Sequence, residues 1–468
     1  MQKKCLVLVP HPDDEINIAG SLFELLKQNN IITYVAMLSY GDYFPAMASV
    51  RVKEALTAKK ILGYDTLFLL GYGDDYENVH IYDAEGCREV KSHSGHSETF
   101  DVSGLKTYHR QKAGVQCRYT RVNLKNDIKS LLIDLKADIV LCVDVDNHPD
   151  HKALSLLFDE VMGEILKNTD YRPVVLKKFA YLGVYKGPDD FYVFTNENKT
   201  RSCFFDLYDE KLCYPYLWKD RLRMSTPYGD IQIRFWKTNV YRALQAHSSQ
   251  RAISKFGRIV NDDIVYWLRR VDSLTYTARI EVSSGDNRYL NDFKIVDTDD
   301  IRNVSPVIIP SEQKVWKPNK GDIEPTITIH LYSPSSVSSI IIYQNLLSAI
   351  EKCRIETSNG FNEVFDITNS YQVHIDLPKL EHVSCVKITF IEYSHLAINE
   401  IEIFSERDAN VSALLKGLIL EKQPIRRKDD SIWMFYYCKT LYSVVLFYVF
   451  LQRLKERINR KIVKLIHI

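Results

Sequence analysis

The first 180 residues alternate short apolar runs with amphipathic segments, and this alternation limits the fold more than any other feature. Four runs have the length and composition of buried parallel strands: Cys5–Val9, Ile31–Leu38, Thr66–Leu70 and Ile139–Val143. Helical patterns lie between and after them, at about Asp14–Gln28, Ser49–Leu62, Val122–Leu135 and Pro149–Leu166. This order predicts right-handed βαβ units and an α/β fold, in which helices sandwich a mostly parallel sheet.

The predicted sheet is Rossmann-like, and in such sheets ligands bind beyond the carboxyl ends of the strands. No GxGxxG motif follows the first strand, so the dinucleotide-binding fingerprint is absent. The stretch from Gly71 to Thr120 has no clear periodicity, and a loop of that length predicts a functional segment that lines or covers the site. Its histidines, His80, His93, His96 and His109, show no pairing comparable to the motifs described below.

The pattern changes in the second half of the chain. From about Gly285 to Ser405 it consists of short alternating strands separated by turn residues, which predicts a β-sandwich of the jelly-roll type. The remainder is helical and basic. We therefore predict three regions: 1–284 as an α/β domain, 285–406 as a β-sandwich and 407–468 as a helical tail.

Composition excludes several classes of protein. The chain has 61 Lys and Arg against 60 Asp and Glu, a net charge of +1, which argues against a nucleic-acid binder with a basic surface. Its nine cysteines are scattered without a CxxC pair, which disfavours a disulfide scaffold or a cysteine-rich zinc module. The N-terminal apolar run is too short for a signal peptide, so we predict a cytoplasmic protein.

The C-terminal tail differs from this average. Residues 426–468 contain ten Lys and Arg and three Asp and Glu, so this part of the tail carries +7 and the rest of the chain −6. The 22 residues between Asp430 and Arg453 contain eight aromatic residues and one charge, Lys439. This predicts attachment to an anionic membrane surface, at the inner face of the membrane, by a helix that spans the bilayer or lies on it. The alternative is a C-terminal helix packed on the rest of the protein.

Two short motifs follow predicted strands directly: Pro10-His11-Pro12-Asp13-Asp14-Glu15 and Asp146-Asn147-His148-Pro149-Asp150-His151. His11 and Asp14 are three residues apart on a turn that opens a helix, so both side chains can converge on one metal ion. Two histidines and a carboxylate form a catalytic zinc set, and the same set also holds ferrous iron. Either motif alone is also compatible with ordinary helix capping. Their occurrence at two strand ends favours a metal site.

These motifs resemble those of the PIG-L/LmbE-like zinc-dependent N-acetyl-sugar deacetylases, and the resemblance extends over about residues 1–255. It implies that His11, Asp14 and His151 bind Zn²⁺, that Asp13 is the general base and that His148 stabilises the oxyanion. Weaker matches are Arg51-Val52-Lys53-Glu54, Gly71-Tyr72-Gly73-Asp74 and a late His247-Ser248-Ser249-Gln250 segment. They imply that Arg51, Asp74 and His247 contact the substrate, although a helical Arg-x-x-Glu is more often a surface ion pair.

The β-rich region resembles a discoidin (F5/8 type C) domain through Trp316-Lys317-Pro318, the Thr326–Leu331 strand and Ala397–Ile403. That resemblance implies a carbohydrate-binding module, with a structural or dimerising domain as the alternative. The leading hypothesis is a deacetylase of an N-acetylated, GlcNAc-type amino sugar, with a lipid-linked glycoconjugate as one candidate substrate. A zinc amidase for another N-acyl small molecule, or a non-catalytic glycan-binding membrane adaptor, is the alternative.

Overall fold

A computed structural model describes residues 2–180 continuously, most of 214–407, and separate positions within 181–213 and 408–458. The N-terminal region contains seven α-helices among its described residues, α1 to α7: Asp14–Ala19, Leu22–Gln28, Met47–Leu62, Tyr108–Ala113, Arg121–Leu135, Pro149–Asn168 and Asn239–Ala246. Its described strands are β1 to β9: Lys4–Val9, Ile32–Ser39, Thr66–Tyr72, Ile139–Val143, Val174–Lys178, Tyr185–Lys186, Arg201–Ser202, Leu222–Met224 and Ile264–Arg269.

Seven of these strands form one sheet in the order β3-β2-β1-β4-β5-β9-β8. The first five are parallel, and β9 and β8 run antiparallel to their neighbours. The predicted α/β fold with a mostly parallel, helix-flanked sheet is therefore confirmed. Because the chain passes from β1 outward to β2 and later returns to place β4 on the other side of β1, the strand order reverses between β1 and β4. This switch point is where open α/β sheets form a ligand crevice.

The first helical segment differs from its prediction. The pattern over Asp14–Gln28 predicts one helix, whereas the structure has α1 and α2, separated at Gly20 and Ser21. Glycine costs about 1 kcal/mol in a helix interior, and here it allows the chain to turn between two helices that are both buried on the sheet. The break leaves α1 as a short helix that carries the first motif.

The second sheet is antiparallel and contains β10 to β15: Arg279–Val282, Thr326–Gln344, Ala349–Thr357, Asn362–Asp366, Gln372–Ser394 and Ile398–Phe404. β11 and β14 are long strands with register shifts in their middle parts. The pairing of β11 changes along its length, from β10 in its first half to β15 in its second. Both halves contribute to a separate apolar core, which confirms the predicted β-sandwich. The proposed domain limits at residues 285 and 407 remain predictions.

A buried ion pair joins the two sheets. Nη2 of Arg269 on β9 lies 3.4 Å from Oε1 of Glu402 on β15, and both side chains are almost fully buried. The hydroxyls of Tyr276 and Tyr343 donate to the two carboxylate oxygens of Glu402 at 2.7 and 2.9 Å. The buried Glu402 carboxylate is therefore paired with a cation and hydrogen-bonded at both oxygens, as a buried charge requires.

The described positions between Trp433 and Ile458 are helical, and several of their large apolar side chains are exposed. Leu441 and Val445 instead pack against the N-terminal core. Within the described part of the chain, no helix has both the length and the apolar character needed to cross a membrane.

Candidate metal centre

The two predicted motifs form turns at the carboxyl ends of the neighbouring strands β1 and β4. Asp14 is the first residue of α1, and Pro149 is the first residue of α6. Proline suits the first helical position because its fixed φ matches the helix and no N–H is lost from the ladder. The sequence therefore begins a helix at each strand end, and the two turns meet at the switch point of the sheet.

His11, Asp14 and His151 meet in the buried space between these turns. Oδ2 of Asp14 lies 3.1 Å from Nδ1 of His11 and 3.2 Å from Nε2 of His151. All three side chains are buried. Two imidazole nitrogens and a carboxylate oxygen around one point are a donor set that fits Zn²⁺, and ferrous iron uses the same set.

The outer nitrogens of both histidines are bound to further carboxylates. Nδ1 of His151 lies 2.8 Å from Oδ2 of Asp146, and Nε2 of His11 lies 3.1 Å from Oδ2 of Asp150. Metal-binding histidines usually donate their second ring N–H to such a partner, which sets the tautomer and the ring orientation. The surroundings of the cluster therefore also fit a metal site.

The electrostatics of the cluster favour positive charge. Burial opposes protonation of His11, but the charge of Asp74 and hydrogen bonds with nearby carboxylates raise its pKa well above the ordinary value. Burial also opposes protonation of His151, yet the carboxylates of Asp146 and Asp14 raise its pKa to about 9. Burial would raise the pKa of Asp14, and the two histidines hold it well below its usual range. In the metal-free protein, the protons on His11 and His151 thus provide the positive charge that a bound cation would provide.

Asp13 lies beside this cluster in a strained turn. Its φ is 98°, an uncommon value for a residue other than glycine, and such strain collects at functional sites. Nη2 of Arg51 lies 3.4 Å from Oδ1 of Asp13 and donates to the carbonyl oxygen of Pro12 at 2.7 Å. Nη1 of Arg51 donates to the carbonyl oxygen of Gly41 at 3.1 Å. Arg51 is thus buried and holds the turn, rather than forming a surface ion pair.

His148 is the partly exposed member of the group. Its ring centroid lies 4.8 Å from that of His11 and 4.7 Å from that of His151. Burial and the neighbouring imidazoles lower the pKa of His148 to about 4, so the ring is neutral at pH 7. The backbone N–H of Asp150 donates to Nδ1 of His148. The proton of the neutral ring is therefore on Nε2, which can donate a hydrogen bond without a net charge.

The three predicted substrate contacts lie in different surroundings. Asp74 and Arg51 both line the pocket, and Oδ1 of Asp74 is 3.3 Å from Nε2 of His11. His247 is fully buried outside the pocket lining, where its Nε2 lies 2.7 Å from Oε1 of Glu15. Burial would lower the pKa of His247, and the charge of Glu15 raises it. Oε2 of Glu15 accepts the N–H of Asp13, so His247 is connected to the Asp13 turn through Glu15.

The cluster opens into a cavity of about 660 Å³. This volume lies within the roughly 300–1,000 Å³ range of small-molecule sites. Its inner part is polar and charged, whereas its rim contains Tyr43, Phe44 and Met47. His93 stacks on Tyr43 with ring centroids 3.8 Å apart. The segment between β3 and α5 therefore contributes to the wall of the pocket.

The sequence predicts no role for three buried carboxylates and one buried histidine of the site: Asp42, Asp146, Asp150 and His80. Asp146 and Asp150 belong to the second motif, so its spacing contained a signal for both. His80 forms no motif in the sequence, yet its Nε2 lies 3.0 Å from Oδ1 of Asp150. No sequence spacing indicates a contact between residues 70 positions apart.

His109 also has a buried partner. Its Nδ1 lies 2.8 Å from Oδ1 of Asp127, and Cys117 is close enough to both for the three to surround one ion. The hydroxyl of Tyr72 donates to Oδ2 of the same carboxylate at 2.8 Å. The hydrogen bonds of the Asp127 carboxylate with His109 and Tyr72 account for this arrangement.

The fold and the cluster together define a class: an α/β protein with a candidate metal centre at the switch point of its sheet. Residues 6–162 match the family model described as PIG-L, GlcNAc-PI de-N-acetylase. The resemblance read from the two motifs is thereby confirmed for this part of the chain. No curated protein gives a significant match.

Solved structures with similar folds match separate parts of the chain. N,N'-diacetylchitobiose deacetylase from Pyrococcus horikoshii is 17% identical, with 37% of this chain and 60% of that chain covered and a TM-score of 0.25. A fucose binding module, SpX-3, from Streptococcus pneumoniae is 19% identical, with 29% and 98% covered and a TM-score of 0.23. GalB, the 4-carboxy-2-hydroxymuconate hydratase from Pseudomonas putida, is 13% identical, with 57% and 95% covered and a TM-score of 0.31. These likenesses concern the fold and carry no functional argument.

Proposed function

We propose that this protein is a zinc-dependent hydrolase that removes the acetyl group from an N-acetylated amino sugar of the GlcNAc type. The products are acetate and a free amine. One observation carries the proposal: the buried His11, Asp14 and His151 converge beside Asp13 at the floor of an open pocket. The match of residues 6–162 to a de-N-acetylase family model supports the same chemistry.

In this proposal, His11, Asp14 and His151 hold the zinc ion. Bound zinc polarises a carbonyl and lowers the pKa of water toward neutrality, which an unreactive amide requires. The Asp13 carboxylate takes a proton from the attacking water and returns it to the nitrogen of the departing amine. Arg51 keeps Asp13 in position through its contacts with the carboxylate and with the Pro12 carbonyl oxygen.

His148 has the oxyanion role. Its Nε2–H donates to the amide oxygen as negative charge develops there, an interaction that typically contributes about 10²–10³ in rate. A neutral ring suffices for this donation, since the Asp150 N–H occupies Nδ1. Asp74 lines the same pocket and is a hydrogen-bond acceptor for a sugar hydroxyl.

Two further proposals concern the rest of the chain. The β-sandwich is a carbohydrate-binding module within residues 285–406, and the 407–468 tail contacts the anionic inner face of a membrane where a lipid-linked substrate resides. The exposed aromatic side chains of Trp433, Phe447 and Phe450 and the charge of +7 over residues 426–468 support the membrane contact.

Metal analysis and acetate release test the proposed reaction. The full chain is assayed for bound zinc and iron, and then with GlcNAc, N,N'-diacetylchitobiose, GlcNAc-PI and a non-sugar N-acetyl amide. Zinc together with acetate from an amino sugar is the expected result, and His151→Ala is the metal-deficient control. Acetate from the non-sugar amide alone would favour the other zinc amidase. A chain with neither metal nor acetate release would favour the glycan-binding adaptor.

A further inference from the structure

A chain of three buried side chains leads away from the candidate metal centre: His11, Asp150 and His80. Nε2 of His11 lies 3.1 Å from Oδ2 of Asp150, and Oδ1 of the same carboxylate lies 3.0 Å from Nε2 of His80. All three are within 3% of complete burial. The Asp150 carboxylate is thus hydrogen-bonded to a histidine at each oxygen, in a buried position away from water.

The backbone sets the tautomer of His80. The N–H of Tyr82 donates to Nδ1 of His80 at 3.2 Å, so the ring proton of neutral His80 is on Nε2. Nε2–H therefore donates to Oδ1 of Asp150, which leaves Oδ2 to accept from His11. With its Nε2 engaged in this way, His11 presents Nδ1 to Asp14, 3.1 Å away.

The position of His80 is fixed by its own surroundings. Its ring packs edge-on against Tyr76 with centroids 4.9 Å apart. Two residues further on, the hydroxyl of Tyr82 donates to Oδ1 of Asp297 at 2.8 Å. On the other side of His80, the carbonyl oxygen of Tyr76 accepts a hydrogen bond from Arg302, so this part of the segment between β3 and α5 is anchored on both sides.

We propose that His80 is a positioning residue of the metal site, which orients the Asp150 carboxylate and through it the ring of His11. This inference rests on the proposed function, because it takes His11 as a metal ligand. Partners of this kind typically affect metal affinity by about 10- to 100-fold. His80 belongs to the long segment between β3 and α5, far in sequence from both motifs.

Zinc affinity of the full-length apoprotein, measured by competition with a chromophoric chelator, tests this role independently of catalysis. His80→Phe keeps a ring against Tyr76 but removes the donor, and we expect its zinc affinity to fall about 10- to 100-fold. His80→Gln keeps an N–H donor at a similar distance from the backbone, and we expect it to recover most of the affinity. His96→Phe, a matched change in the same segment whose ring stacks on Phe100, is expected to leave zinc affinity unchanged.

A double-mutant cycle tests the route through Asp150. If His80 acts through that carboxylate, His80→Phe changes zinc affinity less than twofold in an Asp150→Asn background. Circular dichroism and thermal melting in EDTA confirm that each variant folds.

The outcomes separate this inference from the proposed function. Wild-type zinc affinity in His80→Phe, or equal losses in the Phe and Gln variants, would overturn the positioning role alone. Two metal ions per chain, with one lost in Asp150→Asn, would also overturn it, because Asp150 would then be a ligand. A wild-type chain that binds no metal would overturn both proposals.

Discussion

Nε2 of His247 lies 2.7 Å from Oε1 of Glu15, and the other oxygen of that carboxylate accepts the backbone N–H of Asp13. Through Glu15, His247 thereby supports the turn that carries Asp13, the proposed general base. His247 supports the site indirectly, since it lies outside the lining of the pocket.

His247→Ala should therefore affect stability and turnover more than substrate binding. Removing one member of a buried ion pair costs about 3–5 kcal/mol, so the free energy of unfolding should fall by that amount. We expect kcat to fall while KM changes little, because the Asp13 turn loses its support. Urea denaturation and steady-state kinetics measure the two effects, with His93→Ala, an exposed histidine, as the stability control. A raised KM with unchanged stability would instead indicate a substrate contact.

Asp13→Asn should separate catalysis from metal binding. The variant keeps a side chain that tolerates a positive φ, but it loses the proton acceptor. We expect acetate release to fall about 10²–10⁴-fold, the usual contribution of a general base, with the zinc content unchanged. Acetate release at the wild-type rate would show that another group takes the proton.

Gly41→Ala should displace Arg51. A Cβ at Gly41 would lie 1.8 Å from Nη1 of Arg51, and Gly41 also has a φ of +63°. Gly86→Ala is the matched control, since its φ is +54° and its Cβ would meet open space. Both changes carry a left-handed backbone cost of about 1–2 kcal/mol. Only Gly41→Ala should also lower acetate release, and equal activity in the two variants would contradict the role given to Arg51.

The stability of the metal-free protein should fall as pH rises. The folded pKa of His151 is about 9, above its ordinary value of 6.5, so its stabilising protonation is complete below pH 6.5. That contribution, about 3 kcal/mol, is lost as pH rises through 9. Urea midpoints in EDTA across this range measure it. Stability that increased from pH 6.5 to 9 would show that His151 is neutral in the folded apoprotein.

Removing the residues after Asp408 should release the protein from anionic vesicles. The tail provides the positive charge and the exposed aromatic surface for such binding. Flotation with phosphatidylserine-containing vesicles compares the full and shortened chains, and neutral vesicles serve as the control. Equal flotation of both chains would exclude the tail as the membrane contact.

The local features of the site were accessible to sequence reasoning. β4 has the predicted bounds, and the helix over Pro149–Asn168 begins at the predicted residue because proline marks its first turn. The convergence of His11 and His151 followed from their positions after parallel strands. The role of Arg51 in holding the turn could not be predicted from the sequence, because an Arg-x-x-Glu pattern looks the same in an exposed helix and in a buried one.

Long-range contacts account for what sequence reasoning missed. His80 belongs to no sequence motif, and the resemblance implied only a substrate contact for His247. Tertiary packing brings both histidines to carboxylates of the two motifs. In the sandwich, the sequence pattern predicts four short strands, at Thr326–Tyr332, Ser338–Tyr343, Gln372–Leu377 and Cys385–Ile391. The structure instead joins the first two as β11 and the last two as β14, each through an irregular middle part. A polar interruption can mark a bulge within a strand as well as its end.

The ion pair between Arg269 and Glu402 bears on how this protein can be divided. A fragment that ends before the sandwich would keep Arg269 on β9 but lose the carboxylate and the Tyr343 hydroxyl that accompany it. The N-terminal region would then expose an apolar interface around an uncompensated cation. We therefore expect the α/β region to lose stability when it is separated from the sandwich that supplies Glu402.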